Sequence, residues 1–130
     1  MATNEKFRPG DKVSLPVPAG TVAGAPLRVG SLNVVTQTDV AKTDVAPTNA
    51  DGTKNTAYNW GGGNPHGNAS CWLDGAHEFT VSFAVTNIGD PIYITSGNAL
   101  SATASGNSLY GNALTTKGGT AGPLTVRLTN

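Results

Sequence analysis

Seventeen glycines and eight prolines are spread through 130 residues, so that one or the other interrupts almost every window of ten. Glycine loses the most backbone entropy on ordering, and proline removes a hydrogen-bond donor and clashes with the preceding turn, so a helix cannot propagate through such a chain. The helix-favouring residues Leu, Glu, Lys and Gln are sparse, whereas Thr, Val and Asn are frequent. No helix longer than two turns is expected. What remains is a succession of short strands and tight turns.

The clearest strand covers residues 77–85, where Phe79, Val81, Phe83 and Val85 fall on one face and Glu78, Thr80, Ser82 and Ala84 on the other. Residues 123–129 repeat the alternation, with Leu124, Val126 and Leu128 facing inward. Weaker runs at 12–17, 27–29, 32–37, 92–95 and 108–115 are bounded by turn residues such as Pro18-Ala-Gly20, Gly89-Asp-Pro91, Ser96-Gly-Asn98 and Lys117-Gly-Gly119. Strands spaced about ten residues apart predict an all-β fold, a small single-domain β-sandwich or β-barrel over residues 11–130. Two segments, Gly24-Ala-Pro-Leu-Arg-Val29 and Gly89-Asp-Pro-Ile-Tyr-Ile94, share a Gly-x-Pro-apolar-x-apolar pattern. Proline cannot donate to a ladder, so each copy reads as the opening of a strand.

A chain of this length buries roughly two thirds of its unfolded surface and needs neither staples nor metal to hold a core. Eight basic and eight acidic side chains cancel, and no two cations are adjacent. Nucleic-acid binding is therefore disfavoured, because clustered cations supply most of that affinity. Cys71 stands alone and can form no internal disulfide. The first residues lack the apolar stretch of a signal peptide, and no run approaches the ~18 apolar residues of a membrane span. A soluble product of the cytoplasm, with no membrane association, is the expectation.

Residues 46–76 change character. Polar and small residues (Pro47-Thr-Asn-Ala-Asp-Gly-Thr-Lys-Asn-Thr56) precede Tyr58-Asn-Trp60-Gly-Gly-Gly63-Asn-Pro65-His-Gly67 and Ser70-Cys-Trp-Leu-Asp74. So long a stretch without periodicity predicts a surface excursion rich in Gly, Asn and Trp. It gathers four potential metal ligands, His66, Cys71, Asp74 and His77, yet their spacing fits no zinc pattern, so no metal site is expected. A Cys71/His77 nucleophilic dyad would need an orienting third group and an oxyanion hole that spacing alone does not supply.

Gly106-Asn-Ser-Leu-Tyr-Gly111 has the glycine spacing of a phosphate-binding loop, but Asn112 and Ala113 stand where Lys and Ser/Thr are required. A strand carrying a bulge or a close-packed Gly111 is the simpler account. Asp39 and Asp44 resemble any two surface carboxylates. No catalytic residue, metal or cofactor is expected, and the chain reads as a non-enzyme.

Three aromatics of the excursion remain. Tyr58 and Trp60 are the candidates for contact with a partner, since exposed aromatics desolvate a large area at little entropic cost. Trp72, beside Cys71 and Leu73, is as suited to plugging the end of the sandwich. Residues 1–10 form an N-terminal arm whose Phe7, Arg8 and Pro9 are candidates for ordering on a partner's sheet edge; a frayed terminus is the competing account. Aromatics on a β scaffold also suit a carbohydrate-binding or host-adhesion module that contacts surface glycans.

Several motifs occur together: Arg8-Pro-Gly-Asp-Lys-Val13, Val17-Pro-Ala-Gly20, Val22-Ala-Gly-Ala-Pro-Leu-Arg-Val-Gly30, Ile88-Gly-Asp-Pro-Ile-Tyr93, Leu100-Ser-Ala-Thr-Ala-Ser-Gly106 and Leu109-Tyr-Gly-Asn-Ala-Leu114. In these the chain resembles the capsid decoration, or cement, proteins of tailed bacteriophages, over its first and last thirds. The resemblance implies a non-enzymatic structural protein of the virion. It would bind the major capsid protein on the outer surface of an icosahedral head, as a homotrimer at local three-fold positions, and stabilise the expanded shell. The middle of the chain departs from the family, which there has a short loop and a strand-turn-strand.

Overall fold

The computed structural model describes residues 12–58 and 63–130. Among them nine strands form and no α-helix does. Strands β1 (Lys12–Pro16), β2 (Pro26–Val29), β3 (Leu32–Thr36) and β4 (Asn68–Trp72) make one antiparallel sheet in the order β1-β4-β3-β2. Strands β5 (Ala76–Val81), β6 (Pro91–Ile94), β7 (Leu100–Ser101), β8 (Ser108–Ala113) and β9 (Gly122–Leu128) make a second, in the order β5-β9-β8-β6-β7. Both sheets curl into half-barrels, so the all-β expectation of a small sandwich or barrel holds.

Period-two alternation explains the second sheet. β9 buries Leu124, Val126 and Leu128, and Phe79 of β5 lies opposite Leu124 in the register. Together with Val35, Ile92, Ile94, Tyr110 and others they form the larger core cluster. Phe79 and Tyr110 meet edge to face with ring centroids 6.0 Å apart. The alternating run 77–85 is interrupted, however: β5 ends at Val81, and Val85 rejoins only as an isolated bridge to Lys117. The Lys117 ammonium donates to the carbonyls of Phe83 (2.9 Å), Gly118 (2.6 Å) and Thr120 (2.7 Å), which pins the bend. Both Gly-x-Pro segments open strands as expected. Pro26 and Pro91 are first residues of β2 and β6, and Gly24 (φ 81°) and Gly89 (φ 94°) take the left-handed backbone that turns the chain into them.

The first sheet holds a smaller cluster, Leu27, Val34, Ala69 and Cys71, with Leu15, Val17, Val29 and Leu73 packed against it. β3 is buried on both faces from Asn33 to Thr36, Val34 joining this cluster and Val35 the larger one. A polar seam joins the sheets at the same strand. Asn33 Nδ2 donates to the carbonyls of Leu109 (2.8 Å) and Thr129 (2.7 Å), and its Oδ1 accepts from Arg28 Nη1 (2.8 Å). Asn130 exchanges two side-chain bonds with the main chain of Asn33, and the Tyr110 hydroxyl donates to Val34 O at 2.7 Å.

The segment read as an excursion over 46–76 is shorter than expected, because its C-terminal part is β4, a central strand of the first sheet. β4 buries Ala69 and Cys71, side chains too small to mark an apolar period in the sequence.

Candidate functional site

With β4 in place, residues 37–67 make the connection from β3 to β4, and polar bonds rather than apolar burial shape it. Thr38 Oγ1 accepts from Ser70 N, Gln37 N donates to Ser70 O, Ala41 N donates to Asn68 O and Gly67 N donates to Ala41 O, so both ends of the connection are laced to β4. Between them residues 47–55 close a small hairpin. Asn49 N donates to Thr53 O, Thr48 and Lys54 form a bridge, and Asp51 accepts from both the N–H (3.0 Å) and the hydroxyl (2.6 Å) of Thr53. Those bonds hold the Asp51 carboxyl below its ordinary value. Asn55 caps the turn through Ala46 O and Ala57 N, which is the usual competence of Asn side chains. The hairpin is exposed along most of its length yet internally bonded.

Beside it lies a cleft of about 590 Å³ between the 17–22 turn, residues 39–44, residues 56–57 and residues 66–67. Val17, Val22, Val40 and Ala41 supply its apolar lining, and Asp39, Lys42, Asp44 and His66 its polar lining. Val22 is 60% exposed, although it is a large apolar side chain. His66 Nδ1 accepts the Thr43 N–H at 3.1 Å, so in the neutral ring the proton sits on Nε2. In that tautomer the Asp44 carboxylate, 3.5 Å from Nδ1, makes only an electrostatic contact.

The chemistry-bearing residues of the 66–77 segment are dispersed. Cys71 is buried in the first sheet, its Sγ donating to Ala69 O, while His77 Nε2 bonds to Asp74 O at 2.9 Å and His66 lies in the cleft. Among the described residues no group of three His, Cys, Asp or Glu side chains is placed to hold a metal ion. Burial pushes the Cys71 thiol up to about 11. A thiol that stays protonated is a poor nucleophile. We expect a disulfide reagent at pH 8 to find no thiol in the native protein and one per chain in denaturant. The raised value stabilises the fold fully below pH 9 and is lost as pH climbs from about 9 to about 11, because the unfolded thiol ionises first. Tyr110, raised by burial and then by Cys71, acts in the same direction at higher pH. A chemical-denaturation series should therefore show stability falling across that alkaline window.

Of the partner-contact candidates, Tyr58 is half-buried at the foot of the hairpin, its N–H donating to Asn55 O. Phe7, Arg8, Pro9 and Trp60 lie outside the described residues. Trp72 is half-buried at the end of β4, where the Lys12 ammonium stands 5.1 Å from its ring centroid, and it belongs to neither core cluster. Of the cleft residues, Val22 opens the motif that runs to Gly30 while Val40 and Lys42 stand in none, and Val22 is one of several large apolar side chains left exposed. Comparison of the chain with protein-family models, with curated proteins and with solved structures found no match.

Proposed function

We propose that this chain is a structural decoration protein that binds the outer surface of an icosahedral phage head, on the exterior of the virion, and stabilises the expanded shell. The observation that carries the reading is the bonded 47–55 hairpin standing beside the apolar-lined cleft of residues 17–22 and 39–44. A projection already held by its own hydrogen bonds loses little entropy on docking, which favours adhesion. The motifs shared with the decoration proteins support the same assignment, and the two Gly-x-Pro segments among them open strands of the two sheets. Formal neutrality lets many copies pack closely on a lattice without mutual repulsion. The partner is the major capsid protein, and a homotrimer matches a local three-fold site.

Purified protein added to expanded, undecorated heads is expected to bind saturably and to raise their resistance to heat. Val22→Asp, at an exposed position of the cleft, should weaken that binding at least tenfold, about 1.4 kcal/mol, with the melting temperature of the free protein unchanged. Equally poor binding to expanded and unexpanded heads would overturn the assignment.

A further inference from the structure

Arg28 brings a cation to the polar seam, and most of its hydrogen-bonding capacity is unspent. Its Nη1 donates to Asn33 Oδ1 at 2.8 Å and reaches Leu109 O at 3.4 Å. A guanidinium carries five N–H donors in a planar fork. Among the described residues no acceptor meets Nε or Nη2, and no carboxylate pairs with the group. The bond to Asn33 holds one arm of the fork still, which leaves the other edge already oriented.

Arg28 lines a pocket of about 170 Å³ between the end of β2, the turn from β6 to β7 and the start of β8. Leu109, whose carbonyl Nη1 reaches, follows directly on Ser108 of the lining, and this sets the guanidinium at that wall. Ser96, Asn98 and Ser108 line the pocket as well, and the lining holds no acidic side chain and no second cation. The hydroxyls of Ser96 and Ser108 have no partner among the described residues. A drug-sized molecule takes roughly 300–1,000 Å³, so this pocket suits a single small group.

Asn98 is built into the same wall. Glycines apart, it alone among the described residues has a left-handed backbone, with φ 63°. Its N–H closes the turn onto Thr95 O at 3.0 Å, and its Oδ1 accepts the Arg28 N–H at 3.1 Å from the edge of the other sheet. With Oδ1 so engaged the amide plane is set, and the two Nδ2 hydrogens have no partner among the described residues. Such backbone persists where its surroundings hold it, and it gathers at ligand clamps. Donors from both sheets thus converge on a space that offers them no anion.

We propose that this pocket binds a carboxylate. The open edge of the Arg28 guanidinium takes the two oxygens side by side, and Ser96, Asn98 and Ser108 donate to the lone pairs that remain. One cation balances one negative charge, whereas a phosphate dianion would leave a charge uncompensated. The carboxylate belongs to a free small acid or to an Asp or Glu side chain of a protein partner, and the chemistry of recognition is the same. No residue lines both this pocket and the cleft of residues 17–22 and 39–44, so the inference stands apart from the adhesion reading.

Titration with sodium acetate at constant ionic strength, against sodium chloride, tests the site by NMR at Arg28 Nε–Hε and the Asn98 side-chain amide. Acetate should shift both signals saturably, and inorganic phosphate should bind more weakly. Ser96→Asp, which sets a like charge at an exposed turn position, should weaken the acetate response at least tenfold without lowering the melting temperature. Asn98→Gly, which takes the same φ without strain, should weaken it as well. The peptide N-acetyl-Gly-Glu-Gly-amide separates the two sources: binding tighter than acetate assigns the pocket to a partner's side chain, and binding no tighter assigns it to a free acid. Shifts by acetate and peptide no larger than those by chloride, tighter binding of phosphate, or an unaltered response in Ser96→Asp would overturn the proposal.

Discussion

Replacing Gly111 by alanine is expected to cost about 3 kcal/mol of folding stability, near the upper end for overpacking a core. Gly111 lies in β8 between β6 and β9, and a Cβ built there comes 2.2 Å from Arg127 O and 2.8 Å from Val126 Cγ1. The first of these is main chain of the neighbouring strand, which a rotamer change cannot move aside. Relief requires prising β8 from β9, across the pairs Gly111↔Leu128 and Ala113↔Val126 that bear the larger core. The register between β6 and β8 shifts at Ile92/Tyr93, beside the Ile92↔Gly111 pair. Equilibrium unfolding in urea should show a lowered midpoint with the slope unchanged. An unfolding free energy within about 0.5 kcal/mol of the parent protein's would mean the strands separate freely. Gly118, with nothing within 4 Å of a built Cβ, provides the control, and Gly118→Ala should change stability by less than about 0.5 kcal/mol.

The second large effect is expected at Asn33. Asn33→Ala removes the donor shared by Leu109 O and Thr129 O and the acceptor of the Arg28 guanidinium, all at the junction of the two sheets. Unsatisfied groups of this kind cost about 1–3 kcal/mol each, and Leu109 O keeps a long contact with Arg28, so a total of about 3 kcal/mol is expected. Asn33→Asp keeps the shape but sets a carboxylate against two carbonyl oxygens, so it should be no better tolerated. Asn130→Ala removes the bonds to Asn33 and Leu73 from an exposed side chain and should cost about 1 kcal/mol. Thermal melts of both single variants and the double variant should give a sum that overshoots the double, since the two side chains share one network. Strict additivity would separate Asn130 from the seam.

Much of the second sheet was legible because its strands carry large apolar side chains at every second position: Phe79 and Val81, Ile92 and Ile94, Leu124 to Leu128. The openings of β2 and β6 were legible for a different reason, the fixed φ and missing donor of Pro26 and Pro91. β4 was not, because Ala69 and Cys71 do its burying, and their neighbours Asn68, Ser70 and Trp72 read as loop. The bend after Val81 was also hidden. Phe83 and Val85 continue the alternation, and only the Lys117 ammonium, more than thirty residues away, shows that the ladder has ended there. Of the residues singled out for partner contact, Tyr58 alone is described, at the foot of the hairpin, and the cleft beside it is assembled from four separate stretches that share no motif.

Strand against helix, and the position of most turns, follow from the chain alone, because backbone torsions and the alternation of side chains across a pleat act within a few residues. Strand order is a different matter. β1 meets β4 across more than fifty residues, β3 is buried on both faces, and Asn33 ties the sheets through partners more than seventy residues away. Such pairings are selected by the total burial and bond satisfaction of the folded whole, so they became visible only when both sheets were in place.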